Sequence, residues 1–189
     1  MLRTIYDYYT HEFKEEDGII VAYFETKRST GYRVYFYPAR DYFDNLVDTS
    51  LLHKHGYYFG FTKILPNEDK KEPFDARVMN TINNIVNEFY ESEGIKCVLI
   101  FHCSDDWGDD KKIKRARRFD LWFDHADSIY KFKKYNEEII VNEFTGQDGT
   151  IVTDKEFLSV IIESNNPDTE IILDEFQEIK NQFTAGKGE

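Results

Sequence analysis

The sequence predicts an α+β fold, and three observations predict it. Short runs of β-branched and aromatic residues recur along the chain between tight polar turns, so hairpins outnumber long crossovers. Two segments, Phe74–Phe89 and Ile172–Phe183, carry apolar residues at helical spacing. Lys96–Cys103 is apolar on both alternating faces, which marks a central strand covered on both sides. The expected architecture is an antiparallel or mixed sheet of about seven to eight strands, with three main helices packed mostly on one face.

Residues 5–13, with Ile5, Tyr6, Tyr8, Tyr9 and Phe13, read as a first strand. Ile19–Lys27 is a second, and Arg28–Gly31 is its turn. Tyr32–Tyr37 alternates: Tyr32, Val34 and Phe36 share one face, Arg33, Tyr35 and Tyr37 the other, and Pro38 ends it. Asp41–Gly56 is irregular, with room for a short helical turn, before a strand at Tyr57–Ile64. A polar loop, Pro66–Glu72, leads to a helix with Pro73 near its first turn, where a missing N–H costs nothing. Its stripe is Phe74, Val78, Ile82, Ile85, Val86 and Phe89, and Gly94 is a fitting stop.

After the central strand, a helix is expected over about 109–126. Ser128–Lys134, Glu138–Phe144 and Thr150–Thr153 read as strands, turning at Tyr135-Asn-Glu137 and Gly146-Gln-Asp-Gly149. Residues 154–163 are contested. Thr153 with Glu156 resembles a capping box, whereas Val160-Ile-Ile162 favours strand, and strand is the reading adopted. Asn166-Pro167 then opens a last helix with stripe Ile172, Phe176, Ile179 and Phe183. The expected organisation is one domain over residues 1–183 and a frayed tail over 184–189.

The formal charge of −12 is unevenly placed: residues 136–189 hold 13 acids and 3 cations. A third so acidic repels nucleic acid and suits a basic partner or a solvated surface. The start, Met1-Leu-Arg-Thr-Ile-Tyr-Asp7, lacks an export-type apolar run, and no stretch approaches a membrane span. Cys97 and Cys103 lie six apart on one strand, too far to bridge, so two reduced thiols and a cytoplasmic setting are expected.

Charge, aromatics and a strand-to-helix corner coincide once. After Cys103 come Asp105, Asp106, Trp107, Asp109 and Asp110, then Lys111, Lys112, Lys114, Arg115, Arg117 and Arg118, then Phe119, Trp122 and Phe123. Carboxylates clustered beyond a central strand suit a hard cation, and Asp105, Asp106 and Asp109 are the candidate ligands. Arg115 and Arg118, one turn apart, suit a phosphate clamp. The bland alternative is electrostatic trim: acids at a helix start and cations further along are what the helix dipole favours. Cations interleaved with Trp107, Phe119 and Trp122 could hold single-stranded nucleic acid, but Phe119, Trp122 and Phe123 recur with Ile113 at core spacing. His53-Lys-His55 lacks zinc-like companions, and His102 and Cys103 point to opposite faces of their strand.

Several motifs carry a family resemblance. Phe24-Glu-Thr26, Gly31–Phe36, Asp75-Ala-Arg-Val78, Thr81–Ile85, Cys103-Ser-Asp-Asp106, Arg118-Phe119, Trp122-Phe123 and Asn166-Pro167 together resemble a family of small, uncharacterised bacterial α+β proteins. The resemblance runs over roughly residues 24–183, implies a shared fold and a shared corner, and implies no activity. Asp109 and Asp110 are additions to that corner.

The expected function is a cytoplasmic binding domain without catalysis. It would engage a protein partner or ligand through its acidic third, or through the hairpin face of Arg33, Tyr35 and Tyr37. The corner residues Asp105, Asp106, Trp107, Arg115, Arg118 and Trp122 are its candidate binding set. The competing expectation is a metal-assisted enzyme acting on a phosphate-containing substrate there, with Mg²⁺ as the ion its acids would hold; otherwise no cofactor is expected. Nothing in the sequence sets the oligomeric state.

Overall fold

In a computed structural model the described residues are 7–43, 46–64, 75–103, 117, 119–124, 131–145 and 149–185. They form a seven-stranded mixed sheet with helices on both faces. The strands are β1 (His11–Glu16), β2 (Ile19–Glu25), β3 (Gly31–Pro38), β4 (Gly56–Ile64), β5 (Val98–Cys103), β6 (Phe132–Thr145) and β7 (Ile151–Glu163). The helices are α1 (Ala39–Tyr42), α2 (Leu51–His55), α3 (Ala76–Glu93), a helical stretch α4 over 119–124, and α5 (Thr169–Ala185). Strand order is β1-β2-β3-β4-β5-β7-β6. Among the described strands only β4 and β5 pair in parallel, and the long connection such a pair requires contains α3.

α3 forms where the apolar stripe predicts it. Asp75 caps it by accepting from the Arg77 N–H at 3.0 Å, and Gly94 ends it at φ +86°. Val78, Ile82, Ile85, Val86 and Phe89 are buried against Ala22, Phe24, Val34, Phe36, Phe59, Leu99 and Ile161 of the sheet. Phe36 and Phe89 stack with ring centres 3.8 Å apart, and Tyr90 donates to the Ile161 carbonyl at 2.6 Å. α4 joins this face through Phe119, which stacks on Phe101 at 3.9 Å.

α1, α2 and α5 cover the other face. Ile172, Phe176 and Ile179 bury against Val98, Ile100, Leu158, Val160 and Ile162. Two of the three main helical segments thus lie on the α3 face and one on the α5 face. β5 is apolar both ways because it runs between the two cores. Glu175 of α5 accepts from the Leu51 and Leu52 N–H groups at 2.9 Å each, capping α2 from across the core. Among the described residues no helix is long and apolar enough to cross a membrane.

Three local expectations need correction. The first strand is His11–Glu16, not 5–13, because Asp17-Gly18 makes the two-residue turn that sets the β1–β2 register, with φ +51° and +79°. Residues 7–10 instead lead along α3: the Tyr9 N–H donates to Thr81 Oγ1 at 2.9 Å and Tyr9 Oη to Asp75 Oδ2 at 2.6 Å. No turn interrupts β6 at Tyr135-Asn-Glu137; Asn136 accepts from Ser159 Oγ at 2.7 Å, and Glu137 is held by Lys180 and Gln177 of α5. The stretches 150–153 and 154–163 are one strand, β7, and not two; 154–163 is extended as expected, and the Thr153/Glu156 pattern starts no helix.

Asp75 makes stability depend on acid pH. The Tyr9 hydroxyl that donates to it, helped by the Arg77 N–H and guanidinium, holds its carboxyl below the ordinary value of 3.8, while burial acts the other way. A carboxyl depressed in the folded state stabilises above its unfolded value, and that contribution fades as pH falls through the folded value. The urea midpoint is expected to drop as pH falls below about 4, and Tyr9→Phe is expected to flatten that drop. Equal acid sensitivity in the two proteins would remove the Tyr9–Asp75 bond as its cause.

Candidate binding face

The N-terminal hairpin turns one alternate set of side chains into the α3 core and leaves the other set outside it. Val34 and Phe36 are fully buried, whereas Arg33, Tyr35 and Tyr37 are half-buried. The antiparallel register carries their face across the neighbouring strands: Arg33 lies opposite Tyr23 and Thr62, Tyr35 opposite Val21 and Gly60, and Tyr37 opposite Tyr58. The core that α1, α2 and α5 bury on this side includes no residue of β1, β2 or β3.

Gly60 shapes the middle of the face. A β-carbon there would lie 2.3 Å from Tyr35 Oη and 2.4 Å from its Cζ, so the phenol lies directly on the Gly60 backbone. Tyr35 meets Tyr37 edge-on at 5.5 Å and tilts against Tyr58 at 6.3 Å. Tyr58 stacks on Tyr42 of α1 at 3.7 Å, nearly parallel. Burial, reinforced by a hydrogen bond with Tyr42, pushes the Tyr58 hydroxyl well above the ordinary tyrosine range. At the other end Tyr23 Oη donates to both Glu16 oxygens, at 2.9 and 3.0 Å, and Arg33 lies 3.6 Å from Glu16 and over the Tyr35 ring. The result is a belt of Tyr23, Arg33, Tyr35, Tyr37, Tyr58 and Tyr42, fixed by packing and partly open to solvent. Rings presented this way offer contact area at small entropic cost.

The hairpin face was visible in the sequence from its alternation. Tyr23, Tyr42 and Tyr58 were not assigned to it, because register and the placement of α1 bring them in. Gly60 between Phe59 and Phe61 was the available clue, since a glycine inside an aromatic strand marks a close approach.

The corner stands differently. Asp105, Asp106, Trp107, Asp109, Asp110, Arg115 and Arg118 lie outside the described residues. Trp122 is described: it is half-buried, stacks on Phe61 at 5.6 Å, and its carbonyl accepts from Asn83 Nδ2 at 3.3 Å. It therefore packs on the α3 core. Asp120 beside it pairs with Lys134 and accepts from Asn136 at 3.2 Å. Among the described residues no three His, Cys, Asp or Glu side chains come together as metal ligands. His53 lies 3.5 Å from Asp48. His102 and Glu156 form a pair 2.8 Å apart on the α5 side of β5 and β7, both about nine-tenths buried. Cys97 and Cys103 are buried, and burial raises the Cys97 thiol well above its ordinary range.

A family model, "Family of unknown function (DUF6169)", matches residues 74–178, more than half of the chain. The chain belongs to DUF6169. The DUF6169 segment runs from the start of α3 into α5, so the motifs at Asp75–Ile85, Cys103–Phe123 and Asn166-Pro167 fall inside it. The hairpin motif and the tyrosine belt fall outside it. No curated protein and no solved structure matches the chain.

The packing of Tyr35 on Gly60 is testable. Gly60→Ala is expected to destabilise the domain by about 1–3 kcal/mol, because the new methyl meets a ring held by its neighbours. In a Tyr35→Ala background the same change is expected to cost under about 0.5 kcal/mol, a coupling read from urea unfolding of the four proteins. Additive effects would show that the two residues do not share this space.

Proposed function

We propose that the chain is a binding domain without catalysis, and that a protein partner docks on the tyrosine–arginine belt. The observation that carries this reading is that Tyr23, Arg33, Tyr35 and Tyr37 stay partly exposed on β2 and β3, from which the α5-side core takes no residue, with Tyr58 at the margin of that core. Tyr and Arg are the residues in which interfaces concentrate their binding energy. The belt is also preorganised: Tyr35 rests on Gly60, Tyr58 on Tyr42, and Glu16 holds Tyr23 and Arg33. Glu12 and Glu16 on this face are paired with Lys14 and Arg33, so the rings and Glu25 are what it offers a basic side chain, and the net charge of −12 favours the approach of a basic partner. Immobilised wild-type chain is expected to retain a protein that the Arg33→Glu/Tyr37→Ala variant, at an unchanged melting temperature, loses by tenfold or more. Equal retention by both would overturn the belt as the docking face.

A second reading rests on the family match, which includes the corner and omits the belt. In it Asp105, Asp106 and Asp109 hold a divalent cation, and Arg115 and Arg118 clamp a phosphate-containing substrate. Mg²⁺ is then expected to raise the melting temperature of the wild type and not that of Asp105→Asn/Asp106→Asn. No shift in either protein would leave those acids as electrostatic trim.

A further inference from the structure

The two outer strands of the sheet, β1 and β6, differ in length and in what flanks them. β1 has six residues. β6 has fourteen, and among the described residues no strand pairs with its outer side. A cleft of about 450 Å³, open to solvent, runs beside β6 between it and α4. Its lining includes the five consecutive residues Phe132 to Asn136. Neighbours on a strand point to opposite faces, so a cleft on one face would touch only alternate residues. One lined by five in a row borders the strand's backbone as well, and β6 is the last strand in the order, so its outer N–H and C=O groups face away from the described sheet.

The side chains of β6 sort by parity. Tyr135, Glu137 and Ile139 lie on the α5 side: Tyr135 and Ile139 pack with that core, and Glu137 is held by Gln177 and Lys180. Phe132, Lys134 and Asn136 lie on the α3 side, Phe132 in that core and the other two on Asp120. A second copy extending this sheet edge to edge would do so about a two-fold axis perpendicular to it. That symmetry places like-face residues opposite one another, so the axis passes through a residue and its own copy. The register shift between Ile140 and Asn142 limits an unbroken ladder to Phe132–Ile140, and charge separates the registers within it. Centred on Glu137, the axis sets like charges face to face, and centred on Lys134 it pairs only the first five residues of β6, Phe132 to Asn136. Centred on Asn136, it pairs Glu138 with Lys134, and both already spend their charge, on Lys155 and on Asp120. Centred on Tyr135, it places Lys133 opposite Glu137 twice and the two Tyr135 rings together.

We propose that β6 is a homodimerisation edge: two copies pair their β6 strands antiparallel about Tyr135, with Lys133 of each copy opposite Glu137 of the other. An inward lysine commonly blunts a sheet edge. Here Asp120 neutralises Lys134, so the edge carries no bare inward charge to oppose the pairing. Lys133 is exposed and can cross to the second copy, and the Glu137 carboxylate can accept from it beside Lys180. This interface is independent of the tyrosine belt, which lies on β2, β3 and β4.

Sedimentation equilibrium of the full chain tests it. The wild type is expected to show twice the chain mass at high concentration. Lys133→Glu is expected to weaken the dimer about tenfold or more, since it sets two like-charge pairs across the axis, and Lys133→Arg to keep it. Lys14→Glu on β1 is the control and is expected to leave it unchanged. Cysteine cross-linking checks the register without relying on charge. Opposed Cα atoms about 4.5–5.5 Å apart fall within disulfide range. Tyr135→Cys is therefore expected to form a covalent dimer under mild oxidation, and Asn136→Cys is not. A monomer at every concentration, a dimer indifferent to Lys133→Glu, or cross-linking through residue 136 alone would each overturn the proposal.

Discussion

The fold depends on one constraint: β4 and β5 run in parallel, and strands so joined need a covered crossover between them. α3 forms that crossover. A helix laid across a sheet must bury a stripe, and the stripe Val78–Phe89 finds Phe36, Phe59 and Leu99 waiting on three successive strands. The Phe36–Phe89 stack ties β3 to the crossover, and the Tyr90 bond to Ile161 ties β7 to it. The two halves of the sheet, β1–β4 and β5–β7–β6, are thus held by the same helix. The N-terminal lead is held by it too, since Tyr9 spends both its N–H and its hydroxyl on α3.

Covering one face leaves β5 with a second apolar face, and this decides where α5 must go. Val98, Ile100, Val160 and Ile162 would be bare without Ile172 and Phe176. At about 25 cal/mol per Å² of apolar surface, such a face is strongly driven to find a cover. α1 and α2 extend that cover only as far as β4 and its aromatic residue Tyr58. The Glu175 carboxylate on the first N–H groups of α2 fixes how far α2 reaches. The belt of Tyr23, Arg33, Tyr35 and Tyr37 is what remains on that face beyond it. Its half-exposure follows from how the helices are spent and not from any special feature of the hairpin.

How much of this was legible in the sequence follows from the range of the interactions. Segments whose periodicity is imposed by burial, such as α3, β3, β5 and α5, read correctly because every third or fourth, or every second, residue repeats the same demand. The Tyr135-Asn-Glu137 stretch read as a turn because its composition is polar; residues distant in sequence, Ser159 and Lys180, keep it extended. The Thr153/Glu156 pattern failed for a similar reason, since pairing along the whole of β6 outweighs a local capping preference. Asp17-Gly18 is a legible turn signal, but the aromatics of residues 5–13 suggest a strand there on composition alone. At the candidate site the alternation Arg33–Tyr35–Tyr37 was readable, while Tyr42, Tyr58 and Tyr23 needed register. The corner acids were readable as a charge cluster, but spacing along a chain does not say whether carboxylates converge.

The tyrosine belt and the β6 edge place different demands on the sheet. The belt lies on strands locked from behind by the α3 core, with Tyr35 seated on Gly60 and Tyr58 on Tyr42. A partner meeting it pays little to order it, so the binding energy of the rings reaches the complex nearly undiminished. The β6 edge offers backbone hydrogen bonds instead, which are indifferent to sequence and would accept many strands. Selectivity there has to come from side chains, and the Lys133–Glu137 spacing supplies it, because a strand of other charge order sets like charges opposite one another. A rigid aromatic face can therefore recognise a different molecule, whereas an edge patterned by its own charges recognises its own sequence.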